Sequence, residues 1–218
     1  MTNEEYSNLL KPYISELELY IDHTQLLAEN VIGNSLIKSD ICFIAMMDRS
    51  VELAKGMISM LNERNLTCAG GLLRLQVDNC LRLYAFNIAE DEEGLADVVI
   101  NGGRIRDHKD RSGEKMTDKN LAKKIKEEGY DENIVDVYDL LSGFIHFSEN
   151  GIIQSIVENT DDGFTAKIGA TLPDRFNGVL LSIAKDSIRY YKLFLFFMTG
   201  AADRKKKMDE SDEIIRMG

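Results

Sequence analysis

The sequence contains few residues that interrupt a chain. It has only two prolines in 218 residues, Pro12 and Pro173, and each stands where a helix could begin. Because proline ends or kinks helices, its scarcity beside many Leu, Ile, Lys, Glu and Met residues favours a helix-rich fold. The chain is long enough for one domain with a sizeable core.

Cysteine is also rare, and no pattern of metal ligands is present. Cys42, Cys68 and Cys80 lie in or beside apolar helical patterns and lack the spacing of a zinc site. An odd number of cysteines without a disulfide framework suits a reducing compartment. The common nucleotide and metal motifs are missing as well. We therefore expect a cytoplasmic protein with no metal and no cofactor.

Long apolar runs are missing too. The strongest, YYKLFLFFM at residues 190–198, is too short to span a bilayer and contains Lys192, so we expect no membrane association. The chain carries 37 acidic and 26 basic residues, for a net charge of −11. An acidic surface repels phosphates, so nucleic-acid binding is favoured only where basic residues cluster locally.

Helical periodicity of apolar residues predicts about six or seven helices, four of them long. The long helices are expected at about 3–31, 40–64, 71–90 and 173–200, and shorter ones at 93–100, 118–128 and 131–149. The third long helix is apolar on most sides, which predicts a central position. The fold class is mainly α, a multi-helix bundle formed by a single domain over residues 1–200.

Two segments depart from this pattern. Residues 151–170 contain two β-like stretches, IIQSIVE and FTAKIGA, around the turn-forming NTDDG, which predicts one small β-hairpin inserted in the helical domain. Residues 201–218 are highly charged, which predicts a mobile tail or a helix that forms with a partner.

A polar stripe marks the helix predicted at 131–149. Tyr138, Ser142 and His146 are four residues apart, so they share one helix face. The same spacing occurs in the third long helix, at Arg74, Asp78 and Arg82. These charges either form an ion-pair ladder or are partly buried and need partners on another helix. We predict a polar seam between the two helices, with His146 in side-chain reach of Arg74 or Asp78.

The segment 101–116 is dense in charge and in turn-forming residues, which predicts a loop or a small irregular hairpin around Arg111-Ser112-Gly113. Between residues 104 and 115 it has five basic and three acidic side chains, a positive segment in an acidic chain. Either it is a solvated loop with internal ion pairs, or it binds phosphate or another ligand, since long loops in compact domains are often functional. The candidate ligand-binding residues are Arg104, Arg106, Lys109 and Arg111.

The order of these motifs resembles a known group of bacterial helical proteins. Arg74-x-x-x-Asp78, then Lys115-Met116-Thr117, then Tyr138-x-x-x-Ser142-x-x-x-His146 is similar to the pattern R-x-x-x-[DE], basic loop, Y-x-x-L-S-x-x-x-H of uncharacterised bacterial proteins that are distantly HEPN-like. HEPN domains are compact helical bundles found in bacterial toxins and anti-phage systems. Their ribonucleases carry R-x(4–6)-H, whereas Arg104 and His108 here are separated by only three residues.

Two functions are compatible with these observations. The first is a non-catalytic helical module that binds a partner protein or a small ligand in a bacterial cytoplasmic system, with anti-phage defence as one setting. The alternative, which the resemblance implies, is a metal-independent HEPN-like ribonuclease or toxin. In that case His146 would be the general acid or base, Arg74 would stabilise the charge of the transition state, and Asp78, Ser142 and Tyr138 would complete the catalytic set.

A surplus of apolar side chains near residue 195 predicts self-association. Successive residues of a helix lie about 100° apart, so one inward stripe cannot bury four in a row. The four are Phe194, Leu195, Phe196 and Phe197. We expect a homodimer or a larger complex through a long helix, unless this helix lies deep in one large core.

Overall fold

Four long helices make up the body of the molecule. They are α1 (Asn3–Ile32), α2 (Lys38–Asn62), α3 (Leu66–Ile88) and α8 (Asn177–Met217). Each packs against two neighbours in the order α1, α2, α3, α8, and α8 returns to α1, so the four form a bundle. The computed structural model describes residues 1–33, 36–146, 149–160, 163–166, 168–169 and 171–217. The predicted mainly helical bundle is confirmed, with its four long helices.

Shorter elements lie outside this bundle. The segment between α3 and α8 contains α4 (Glu92–Ile100), a 3₁₀ turn (Ile105–Asp107), α5 (Asp118–Glu127), α6 (Ile134–Ile145), α7 (Glu149–Ser155) and a second 3₁₀ turn (Asp174–Phe176). Helix α4 packs on α2, whereas α5 and α6 pack on α3. Side chains cap two of these helices, because Asp91 accepts from Gly94 N at the start of α4 and Thr117 from Asn120 N at the start of α5.

Helix α3 is the most deeply buried part of the chain, as its apolar pattern predicts. Leu73, Val77 and Leu81 are almost completely buried. The predicted start at residue 71 is wrong, since the helix begins at Leu66, where the side chain of Asn65 accepts a hydrogen bond from Cys68 N (3.1 Å). Gly70, which was expected to precede the helix, lies inside it. The ring of Phe144 on α6 occupies the space where a Cβ of residue 70 would project, which explains a glycine at this position.

The predicted hairpin at 151–170 needs correction. Residues up to Ser155 are helical in α7, so only the later part of the range is extended. Two short strands, β1 (Ile156–Thr160) and β2 (Gly163–Ala166), pair antiparallel. Residues 161 and 162, where the turn was predicted, lie outside the described residues, as do 167 and 170. A complete hairpin is therefore not shown.

Helix α8 also differs from its predicted bounds. It continues past residue 200 to Met217, and Ala201, Ala202 and Lys205 are buried. The Nζ of Lys205 lies 2.8 Å from an Oδ of Asp40 at the start of α2, and both side chains are at most 3% exposed. The helix and its buried residues thus continue past residue 200 to Lys205, whereas the division into a domain of residues 1–200 and a charged tail stays a prediction.

The aromatic run of α8 lies mostly inside the bundle. Tyr190, Phe194 and Phe197 are buried, whereas Phe196 is 59% exposed and contacts the ring of Tyr130. Only one of the three phenylalanines therefore faces solvent, which weakens the motive for a dimer and leaves the dimer itself a prediction. Throughout the described part of the chain, no helix combines the length and the apolar character required to cross a bilayer.

Candidate ligand-binding cleft

A polar seam does form between α3 and α6, and α5 contributes to it. The guanidinium of Arg74 lies 3.6 Å from the ring centroid of Tyr138 and pairs with Asp78 one turn along α3. The hydroxyl of Tyr138 donates to Asp118 at the start of α5 (3.0 Å), and Arg82 pairs with the same carboxylate. The seam thus joins Arg74, Asp78, Arg82 and Tyr138, as predicted for this pair of helices, through Asp118, which sequence reasoning missed.

The seam is closed to solvent at its centre. Arg74 is only 8% exposed, and its charge is balanced by Asp78 and by the face of Tyr138. Burial, together with the negative charge of Asp118, raises the pKa of Tyr138 to about 12. At neutral pH this hydroxyl remains protonated and acts as a hydrogen-bond donor. The arrangement pairs buried charges of opposite sign, which is a structural task, while the Nε of Arg74 has no hydrogen-bond partner among the described residues.

The structure does not bring His146 into the seam. Helix α6 ends at Ile145, and His146 follows it with extended backbone (φ −102°, ψ 144°) and an exposed side chain. Phe144 packs on Gly70 while Tyr138 packs on Arg74, so α6 runs antiparallel to α3 and carries His146 away from Arg74. The hydroxyl of Ser142 donates to the carbonyl of Tyr138 (2.9 Å), within its own helix. Among the described residues, no side-chain hydrogen bond or ion pair involves His146.

The charged segment after α4 is an ordered turn, which Asp110 holds in place. One carboxylate oxygen of Asp110 accepts from the backbone N–H of Ser112 (2.8 Å) and Glu114 (3.0 Å) and from the Ser112 hydroxyl (2.7 Å). The other lies 2.9 Å from Nζ of Lys124 on α5. Burial raises the pKa of Asp110, but the hydrogen bonds from Ser112, Lys124 and Glu114 outweigh it and bring the pKa to about 2.

This turn separates the four predicted ligand-binding residues into two pairs. Arg111 faces α3, where its backbone N–H donates to the carbonyl of Ile88 and its Nε to that of Ala89 (2.9 Å), so it caps the end of that helix. Lys109 is exposed and takes part in a β-bridge with Lys115. Arg104 and Arg106, by contrast, line a cleft on the surface.

The cleft has a volume of about 750 Å³, within the range of about 300–1,000 Å³ usual for small-molecule sites. Its floor includes Asn79 and Phe86, both buried on α3. Its walls come from α2, from the end of α4 and from residues 103–106. Apolar side chains make up much of the lining: Ile41, Cys42, Met46, Val99, Ile100 and Ile105.

The charge of the cleft contrasts with that of the chain. In the part of the chain that the structure describes, four arginines line it, Arg49, Arg82, Arg104 and Arg106, and no aspartate or glutamate does. Two of these arginines form ion pairs with carboxylates that do not line the cleft: Arg82 pairs with Asp118, and Arg104 pairs with Asp107 (2.8 Å). The cleft is therefore a positive, largely apolar site on a molecule with a net charge of −11.

Two of the four residues predicted to bind a ligand line this cleft. Sequence reasoning selected Arg104 and Arg106 from their basic segment, but it missed the α2 wall with Ile41, Met46 and Arg49. A signal was present in α2, because Ile41 and Met46 lie outside the inward stripe that contains Phe43 and Met47. Apolar residues beside the main stripe of a helix can mark a second face that contacts something else.

Comparison with known proteins does not show what this site binds. No protein-family model, curated protein or solved structure matches the chain. The resemblance to HEPN-like proteins therefore stays a prediction. Among the described residues, no group of three or more His, Cys, Asp or Glu side chains could hold a metal ion.

Proposed function

We propose that this protein is a non-catalytic binding module that takes up a small molecule in the cleft between α2, α3 and residues 99–106. The observation that carries this proposal is the lining of the cleft, which combines an apolar floor with arginines and, among the described residues, contains no carboxylate. Small-molecule sites have this composition, with an apolar body and a few polar groups that fix orientation. The proposal also uses the two basic residues of the 104–106 segment.

The geometry gives less support to the ribonuclease alternative. Such an enzyme needs His146 and Arg74 at one accessible point, since a general acid or base must reach the reacting group. Arg74 is buried beneath Tyr138, and His146 is exposed beyond the end of α6. Neither residue lines the cleft. A role in bacterial defence and self-association both remain predictions that accompany the binding function.

A neutral apolar fluorophore tests for a binding cleft. We expect N-phenyl-1-naphthylamine to bind the wild-type protein, with fluorescence excited where tryptophan does not absorb. Ala45→Trp should weaken that binding, because Ala45 lines the cleft and a large ring there fills part of it. Leu26→Trp is the matched control, since Leu26 is 63% exposed on α1 and lies outside the cleft.

Two results would contradict the proposal. One is a wild-type protein that binds no probe, or binds it equally well after Ala45→Trp. The other is cleavage of mixed RNA by the purified protein in EDTA that disappears in His146→Ala. The second result would favour the HEPN-like ribonuclease instead.

A further inference from the structure

We propose that the ligand of the cleft is a small organic anion, with one carboxylate, sulfonate or phosphate group on an apolar body. This inference rests on the proposed binding function and adds the chemical class of the ligand. It follows from the distribution of charge among the arginines and from the apolar surface beside them.

Two of the four arginines carry charge that no other group of the described residues balances through a hydrogen bond or an ion pair. Arg82 and Arg104 each pair with a carboxylate, from Asp118 and Asp107 respectively. Within the described residues, Arg49 and Arg106 have no hydrogen bond or ion pair through their side chains, and both are exposed at the cleft. Guanidinium groups bind carboxylates and phosphates through paired N–H donors, so two unpaired ones favour an anionic ligand.

The two free guanidiniums come from different elements. Arg49 projects from the middle of α2, and Arg106 from the 3₁₀ turn Ile105–Asp107. The segment with Arg106 has its own backbone hydrogen bonds, from the N–H of Asp107 to the carbonyl of Arg104 (3.1 Å) and from the N–H of His108 to that of Ile105 (3.0 Å), so its backbone is ordered. A site formed in advance loses less conformational entropy on binding.

The apolar floor determines the rest of the ligand. Phe86 is buried below the cleft, and Met46 and Val99 are half-buried beside it. An inorganic anion would leave this surface in contact with water, whereas an apolar body would cover it and gain the hydrophobic contribution. The favoured ligand is therefore amphipathic, and a free inorganic phosphate or sulfate is not expected to bind well.

A matched pair of fluorophores separates charge from apolar contact. 8-Anilino-1-naphthalenesulfonate has the ring system of N-phenyl-1-naphthylamine with one added sulfonate. At one fixed ionic strength, we expect the sulfonate to bind about tenfold more tightly than the neutral probe, since charge-assisted hydrogen bonds are the strong ones. Fluorescence titration with both probes, on the same protein preparation, gives the ratio of the two Kd values.

Three variants assign that ratio to residues. Arg49→Gln and Arg106→Gln should each lower the preference for the sulfonate, the ratio of the two Kd values, by about threefold, with a larger effect on the Kd of the sulfonate than on that of the neutral probe. Lys11→Gln is the control, because it removes one positive charge from α1, outside the cleft. Far-UV circular dichroism and thermal unfolding confirm that each variant is folded.

The outcomes distinguish the two proposals. Equal affinity for both probes, or a sulfonate preference that survives both arginine substitutions, overturns the anionic ligand and leaves the binding cleft intact. Failure of both probes to bind overturns the proposed function and this inference with it. A preference lost equally in Lys11→Gln would show that net charge, rather than the cleft, determines binding, and would also overturn the inference.

Discussion

At the scale of single residues, Asp110 stabilises the turn that follows the cleft-lining residues 103–106. Its carboxylate joins two backbone N–H groups, a hydroxyl and a lysine of another helix, and it is nearly inaccessible to solvent. The positive segment that sequence reasoning treated as a loop is ordered by this acidic residue. Arg104 and Arg106 lie just before this turn, at the edge of the cleft.

Replacing Asp110 by Asn should destabilise the protein by about 1–3 kcal/mol at neutral pH, because the ion pair and the charge-assisted hydrogen bonds are lost from a buried site. Urea unfolding followed by circular dichroism measures the change. Asp107→Asn is the control, since Asp107 pairs with Arg104 at an exposed position and should change stability by no more than about 0.5 kcal/mol. Equal effects of the two substitutions would contradict this account.

The same contribution depends on pH in a defined direction. The folded pKa of Asp110, about 2, lies below the ordinary aspartate value of about 3.9. A depressed carboxyl pKa adds stability that is complete above the unfolded pKa and is lost as the pH falls through the folded pKa. The difference in unfolding free energy between wild type and Asp110→Asn should be constant at about pH 5–7 and shrink between about pH 4 and pH 2. A constant difference down to pH 2 would refute it.

At the scale of elements, the contact between α3 and α6 depends on one glycine. A Cβ added at Gly70 would lie 2.4 Å from atoms of the Phe144 ring, whereas one at Gly71 would meet only the end of Ile145, at 3.9 Å. Both glycines are inside α3, where glycine has a poor helix propensity. The two helices can approach closely because Gly70 has no side chain.

The neighbouring glycines form a matched pair for mutation. Gly70→Ala should destabilise the protein by about 1–3 kcal/mol, because the Phe144 ring must shift within a packed contact. Gly71→Ala should be neutral or stabilising by up to about 1 kcal/mol, because alanine favours the helix and meets no clash. Thermal and urea unfolding compare the two variants. A stabilising Gly70→Ala would show that α6 is free to move away.

Elements could be predicted from the sequence better than the site could. Apolar periodicity and capping residues are local signals, and they placed α1, α2, α4 and α5 within two residues at each end. The two glycines misled the prediction at α3, since a glycine needed for close packing looks like one that ends a helix. The seam was predicted in part, but the position of His146 outside it was not, because nothing in the spacing of Tyr138, Ser142 and His146 shows that α6 ends at Ile145. The cleft as a whole could not be predicted, because its α2 wall and its 104–106 wall are far apart in the sequence and meet only in the folded protein.

For the whole molecule, the buried ion pair between Lys205 and Asp40 connects the later part of α8 to the beginning of α2. Both side chains are almost fully inaccessible, so neither charge can be solvated if its partner is removed. Asp40 also accepts from the backbone N–H of Ile37 (2.9 Å), where it caps its own helix. One carboxylate thus helps to start α2 and to hold α8.

Lys205→Met should destabilise the protein by about 3–5 kcal/mol, since it leaves an uncompensated buried carboxylate. The double variant Asp40→Asn/Lys205→Met should recover part of this loss, because it also removes the buried charge of Asp40. The contact between Lys205 and Asp209 (4.0 Å) is lost in both variants and is not recovered. Lys206→Met is the control, because Lys206 is the next residue in the chain and its side chain is exposed. Urea unfolding of the wild type, the two single variants Asp40→Asn and Lys205→Met, and the double variant gives the coupling between the two positions. A double variant as unstable as the sum of its parts would argue against a coupled pair.

The position of α8 in the chain has a consequence for biosynthesis. Asn177, its first residue, donates to the carbonyl of Met1 (3.2 Å) and accepts from Arg64, and Lys205 reaches Asp40. Between Asn177 and Lys205, α8 covers the inner faces of α1 and α3. Both of those helices are synthesised much earlier than α8. At about 5–20 residues per second, the ribosome needs roughly ten seconds to advance from Ile88 to Lys205. Through that interval the apolar sides of α3 have no α8 to pack against, so this nascent chain is expected to need protection until α8 emerges.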